Sequence, residues 1–396
     1  MGGWSVQRLT MLVFFLQPIA FGSWLPRIPD VQQALGLGPA ALAFTLLGLP
    51  CGTLLTLPFA GPLVGKIGPR AAILYGFFFY AIAVSLPAFA PNPTLLFAAL
   101  MLAGSSISFL ELGLNVQADA VEKSTGSLIM TKSHGFWSVG IMVGSLIGSA
   151  LAAIGLAPHW AILLVAAINL PLGVIVALLL PLVAPEAASK AEGQRSAWAM
   201  PSWALLGICF FVFGITMTEG AMADWSAVFL REALGADGGL AGLGYSVFAF
   251  MVATGRFGGD TLKARFGAVN TARICGTLAL AGAAILFIAP NTIAALFGFA
   301  IIGLGVSVGF PLAVTAAASL TDRASSSNVA VLSFVALCGF LIGPPVIGFI
   351  AEHANMRLGL LALVPVLLVS LLLTGRLTVK QRTADHNPEA DIPGVL

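Results

Sequence analysis

The chain has 396 residues, of which 59% are hydrophobic and only 9% charged, and its mean hydropathy is +1.01. Such a composition excludes a water-soluble globular domain and makes this a polytopic membrane protein. The net charge of +2 is spread over loops between oily segments, so no nucleic-acid partner is indicated.

The apolar runs are long and unbroken rather than ten-residue alternations, and hydrocarbon offers the backbone no partner but itself. The spans are therefore helices and the fold class is all-α. Runs of about 20 apolar residues predict twelve spans, near 8–27, 39–60, 71–90, 94–118, 130–155, 160–184, 201–230, 239–259, 270–289, 292–319, 328–351 and 358–378. With both ends inside, the cytoplasmic ends and loops hold fifteen basic residues, Lys66, Arg70, Lys123, Arg256 and Lys263 among them, against Arg27, Arg231 and Arg357 outside. That asymmetry sets the expected orientation.

In chain order, the first span ends in "FGSWLPRIPD", which is no small-residue cleavage site, so it is read as a mature helix. It carries Gln17, Phe21 and Trp24 on one side, and Arg27 beyond them either pairs with an acid of the other half or snorkels to the interface. The fourth span ends in "ELGLNVQADAVE", where Glu111, Asn115, Asp119 and Glu122 share one helical face and form a polar stripe that needs a wet or paired neighbour. Hydrocarbon makes Glu111 costly to ionise, which suits either proton exchange or a permanently paired structural glutamate. Asn115 bonds a ligand or holds Glu111, and Asp119 and Glu122 read as solvated charges beside Lys123 and Lys132. In the fifth span "SHGFWSVG" puts His134, Trp137 and Ser138 about one turn apart, with His134 a proton partner or a plain hydrogen bonder.

The polar stretch "APEAASKAEGQRSAWAM" then separates six spans from six and reads as a cytoplasmic linker. This divides the chain into a bundle at 1–184, a linker at 185–200, a second bundle at 201–379 and a cytoplasmic tail at 380–396. The seventh span contains Glu219 inside an apolar run, with Asp224 and Trp225 nearer its outer end. Cys51, Cys209, Cys275 and Cys338 fall on four different spans and suggest neither a disulfide framework nor a metal site.

Shifting the chain on itself by 199 residues aligns 34–70 with 233–269 without a gap and places Lys66 on Arg265, Gly68 on Gly267, Gly140 on Gly339 and Gly144 on Gly343. The second half therefore repeats the first. With "GPLVGKIGPR" between the second and third spans and "GFLIGPPVIGFI" in the eleventh, the chain resembles the major facilitator superfamily over its whole length. The loop's usual acid is replaced by Gly65, which leaves incomplete the charge lock that the resemblance would otherwise assign to Lys66 and Arg70.

"LELGLN" resembles the fucose-permease-like branch, and by that resemblance Glu111 is the proton-coupling residue; the acid that branch carries before a proline in its first helix is absent, since Leu25 precedes Pro26. "EGAMADWSAVFL" and the polar stripe with "HGFWSVG" resemble a bacterial subgroup that includes rhizopine (amino-cyclitol) transport proteins. The resemblance implies two six-helix bundles rocking about a midplane site, with Gln17, Trp24, Asn115, His134, Trp137, Glu219 and Phe310 around a small polar solute. Glu111 and Glu219 would couple protons, and an Arg27–Asp224 pair would close the outer face. Aromatic planes suit the C–H faces of a sugar-like ring. The expected protein is a monomeric secondary transporter of a bacterial inner membrane, with lipid around it, no cofactor, and a small polar solute and protons as partners. An exporter of amphipathic compounds is the alternative. A sensor or intramembrane enzyme is remote, because His134, His159, His353 and His386 lie apart and no "GxxxxGK" loop occurs.

Overall fold

The computed structural model describes residues 5–182, 201–321 and 325–378; the expected linker and C-terminal tail lie outside the described residues. Within them the chain is helical, with eleven helices long and apolar enough to cross a membrane. One of these, Gly238–Ile288, runs for 51 residues. At about 1.5 Å per residue that is more than twice a hydrocarbon core of about 30 Å. It is broken at Gly267, whose φ of 77° and ψ of 164° are not helical, so it makes two crossings and the count becomes twelve.

We number the crossings α1 (Val6–Trp24, continued by a turn at Leu25–Arg27 and by Ile28–Ala34), α2 (Pro39–Leu46 with Gly48–Ile67), α3 (Pro69–Ser85), α4 (Pro93–Thr125), α5 (Met130–Ala153) and α6 (Pro158–Leu179). The second half is α7 (Trp203–Leu234), α8 (238–266), α9 (268–288), α10 (Thr292–Val306 with Gly309–Ser319), α11 (Ser325–His353) and α12 (Met356–Leu361 with Leu363–Leu373). The breaks in α2, α10 and α12 come three or four residues before Pro50, Pro311 and Pro365, as expected where a proline removes the hydrogen bond to the preceding turn. The α4 helix runs seven residues past its predicted end. There Asp119 pairs with Lys123 at 2.7 Å, and Glu122 accepts from the backbone N–H groups of Ile129 and Met130, capping α5.

The repeat seen in the sequence has a structural counterpart. Gly68, the mate of Gly267, has a φ of 82° and a ψ of 155°, so the same left-handed glycine turns the chain between the second and third helices of each half. Gly140 and Gly144 of α5 seat against the carbonyls of Phe15 and Ile19 in α1, and their mates Gly339 and Gly343 of α11 seat against α7 at Thr216 and Met217. A side chain at Gly140, Gly144 or Gly339 would collide with a neighbouring helix, and one at Gly343 would press closely on Met217. Small residues let the first and fifth helices of each half approach to van der Waals distance, which is what holds helices together where no hydrophobic force acts between them. Two pseudo-symmetric six-helix bundles result.

Two charge assignments made from the sequence are corrected. Arg256 is not a loop cation: it stands about three turns before the end of α8 and pairs inside the protein with Glu219. Arg27 does not pair with Asp224. It is buried against Asp30, three residues on, at 2.7 Å, and it also donates to the carbonyl of Leu156. The reason is helical rise, since Asp224 lies about 10 Å deeper along α7 than Arg231, the residue that does face Asp30.

Candidate functional site

A cavity of about 210 Å³ lies between the two halves. Six aromatic rings form much of its wall: Phe21 and Trp24 from α1, Trp137 from α5, Tyr245 and Phe248 from α8 and Phe340 from α11. Its polar groups are Thr53, Ser138, Glu219, Asp224 and Arg256. Glu219 and Asp224 share α7, where the long apolar run keeps the helix in the bilayer, and both line the cavity although their five-residue spacing sets them about 140° apart around the helix.

The polar groups are fixed by one another. Arg256 donates through one terminal nitrogen to Ser138 Oγ at 2.7 Å and through the other to Glu219 Oε1 at 3.2 Å. Ser138 in turn donates to the carbonyl of His134 at 3.1 Å, so its hydroxyl is oriented with its lone pairs toward the guanidinium. Trp137 donates its indole N–H to Gln17 Oε1 at 2.6 Å, and Gln17 is buried. That bond sets the indole plane along the cavity wall. Asp224 has no hydrogen bond or ion pair among the described residues, which leaves its carboxyl free to accept from a ligand.

A second cavity, of about 410 Å³, adjoins the first on the side of Lys66 and Lys263. His134, Asp260, Lys263 and Phe310 are in its wall, and Arg256 belongs to both walls. At the other end of the molecule the halves are fastened together. Asp30 of α1 takes Arg231 of α7 as well as Arg27. Beside it Gln32 donates to Glu232 at 2.7 Å, Ser246 of α8 donates to Ser145 of α5 at 2.8 Å, and the backbone N–H of Ala40 donates to Glu352 at 3.2 Å. The site is thus sealed at the Asp30 end.

Of the residues singled out from the sequence, Trp24, Trp137, Glu219 and Asp224 meet in the central cavity, with Gln17 behind Trp137. His134 and Phe310 line the second cavity, and the His134 ring sits edge-on to Phe14 at 5.4 Å. Glu111 and Asn115 are in neither wall and have no hydrogen bond or ion pair among the described residues. Lys66 is exposed, and Arg70 donates to the carbonyl of Leu178 at the end of α6. Sequence reasoning missed Arg256, Tyr245, Asp30 and Arg231. For Arg256 the signal was an arginine inside a predicted span; for Asp30 it was the i, i+3 spacing from Arg27.

Twelve helices in two like halves around a shared cavity that holds charged side chains define a membrane transporter. The profile of the Major Facilitator Superfamily matches residues 10–326 and 221–393, and the chain belongs to that family. It is 31% identical over 360 residues to an uncharacterised transporter of the same type from Yersinia pestis, covering 89% of this chain and 91% of that one. It is 29% identical over 358 residues to the membrane protein MosC of Rhizobium meliloti, covering 89% and 85%. Among solved structures it is similar to a mutant of the nucleoside transporter NupG, with a TM-score of 0.79, 13% identity and coverage of 94% and 100%. It is also similar to a bacterial homologue of the human lysosomal transporter Spinster, with a TM-score of 0.70, 17% identity and coverage of 94% and 96%. At these identities the solved structures establish the fold.

Proposed function

We propose that the protein is a secondary active transporter that carries a small polar solute, sugar-like or a cyclitol, across a bacterial inner membrane by alternating access linked to protons. The observation that carries this reading is the central cavity, where six aromatic rings surround two carboxylates, an arginine and the hydroxyls of Thr53 and Ser138. Flat rings take the C–H faces of a sugar or cyclitol, while Asp224, Glu219, Arg256 and Ser138 offer acceptors and donors for its hydroxyl or amino groups. An exporter of amphipathic compounds has little use for two carboxylates and an arginine gathered in an otherwise largely apolar cavity, and these charged groups favour the polar solute.

With the basic residues at 66, 70, 263 and 265 placed in the cytoplasm by the positive-inside rule, the Asp30 end faces the periplasm and both termini face the cytoplasm. The arrangement described is then closed outward. Glu219, joined to Arg256, and Glu111 on α4 are the groups we assign to proton exchange. The test is a thermal-shift screen of purified protein against polyols, amino-cyclitols and lipophilic cations, followed by counterflow in vesicles with the best ligand. Stabilisation by polyols or amino-cyclitols supports the proposal, and stabilisation by lipophilic cations alone overturns it in favour of the exporter.

A further inference from the structure

Arg256 occupies a position that neither the family membership nor the solute reading accounts for. It is the residue of α8 shared by the walls of both cavities. One and two turns before it, Val252 and Ala249 face the central cavity; one turn after it, Gly259 and Asp260 face the second. The partner helix shows the same boundary. On α5, Ser138 and Ile141 face the central cavity, while His134, Thr131 and Met130 face the second. The Arg256–Ser138 bond therefore spans from the C-terminal half to the N-terminal half at the level where one cavity gives way to the other. Next to it the ring of Phe257 fills the space where a Cβ on Gly135 would stand, so apolar packing closes the flank of the polar bridge.

We infer that the Arg256 guanidinium, held by Glu219 and latched to Ser138, is the partition between the solute cavity and the vestibule on the basic side. A guanidinium presents several donors in a rigid fork, and two of its nitrogens are used here on two different helices. Glu219 is on its own half of the protein and Ser138 on the other. Separation of the halves at this end breaks the serine bond and leaves the ion pair intact. A solute in the central cavity with a hydroxyl or carboxylate acceptor can take the serine's place on Arg256, and the partition then opens when the cavity is filled. This makes Arg256 a positioning residue that links occupancy to access. The inference rests on the transport reading only for that last step; the partition itself is a property of the empty protein.

The experiment reads access directly. Ala223 lines the central cavity and the exposed Thr315 lines the second, so Ala223→Cys and Thr315→Cys are placed singly in protein whose four native cysteines are replaced. Inverted membrane vesicles expose the basic end to a small, membrane-impermeant methanethiosulfonate. Ser138→Ala removes the latch without changing charge, and Arg256→Lys shortens the fork while keeping its charge, so neither alters the attraction of the reagent. The expected result is labelling at Ala223→Cys about fivefold faster in both variants, as loss of one charge-assisted hydrogen bond in a partly wet site allows. Labelling at Thr315→Cys should be unchanged. A purely structural bridge would lower the melting temperature of Ser138→Ala yet leave the Ala223→Cys rate as it was, and that result overturns the inference. Equal acceleration at both cysteines also overturns it, because it reports general loosening. None of these outcomes depends on which solute is carried, so failure here is separate from failure of the solute screen.

Discussion

Asp30→Asn is the most informative single change at the sealed end. Asp30 is 21% exposed and lies between Arg27, 4% exposed, and Arg231, 23% exposed, the latter across the gap between halves. The substitution keeps the shape and removes the charge, leaving two guanidinium groups facing each other with no counter-ion. An exposed ion pair is worth at most about 1 kcal/mol, but a partly buried acid serving two arginines loses more when it is neutralised. A cost of about 1–2 kcal/mol is expected, and it falls on the arrangement closed at the Asp30 end, because opening that end separates Asp30 from Arg231. That shifts the balance between closed and open forms about five- to thirtyfold. The assay is the rate at which an impermeant thiol reagent, added to right-side-out vesicles, reaches Ala223→Cys in the cavity. Arg231→Gln should produce the same acceleration, and the double variant no more than either alone, since both remove one interaction. Asp119→Asn is the control: its pair with Lys123 is exposed and lies within one helix turn at the other end. If Asp30→Asn accelerates labelling no more than Asp119→Asn does, Asp30 is not what keeps this end shut.

Trp137→Phe keeps an aromatic wall but strands the buried Gln17 carbonyl, and should lower stability by about 1–3 kcal/mol in a thermal or denaturant titration of purified protein. Gly140→Val drives a side chain into the Phe15 carbonyl and should cost about 1–3 kcal/mol or more, whereas Gly61→Ala, with open space around it, should stay within about 0.5 kcal/mol in the same titration. Glu111→Gln retains the shape of an α4 side chain and cannot titrate, so counterflow should persist while accumulation driven by a pH gradient disappears; equal loss of both would make Glu111 a binding or structural residue.

Hydropathy made the twelve crossings legible, because each is an oily run long enough to span. The repeat was legible because Gly68 and Gly267 have one structural job, a turn that only glycine takes without strain. Helix ends were less so. The α4 helix continues beyond its apolar run because Asp119, Lys123 and Glu122 find partners within one or two turns, and hydropathy does not register paired charge. The site was half legible. Trp137, Glu219 and Asp224 stood out as polar or amphipathic groups in apolar runs, and they do share a cavity. Arg256 was read as a loop cation because counting basic residues near span ends cannot distinguish one that turns inward from one that reaches the interface. The pairing of Asp30 with Arg231 joins residues 201 positions apart and needs the two halves in place before it can be seen.

The central claim is that solute binds among the aromatic rings and charges of the cavity between the halves. It is tested most directly by thermal shift with the polyol and amino-cyclitol panel, run side by side on the unaltered protein and on Asp224→Asn, whose carboxyl lines that cavity with no protein partner among the described residues. A ligand at one hundred times its Kd stabilises the folded state by about 2.7 kcal/mol, enough to move a melting curve visibly. The account predicts that a polyol or amino-cyclitol raises the melting temperature of the unaltered protein, and that the same concentration raises that of Asp224→Asn by much less. An equal shift in both proteins would put the solute elsewhere and contradict the account.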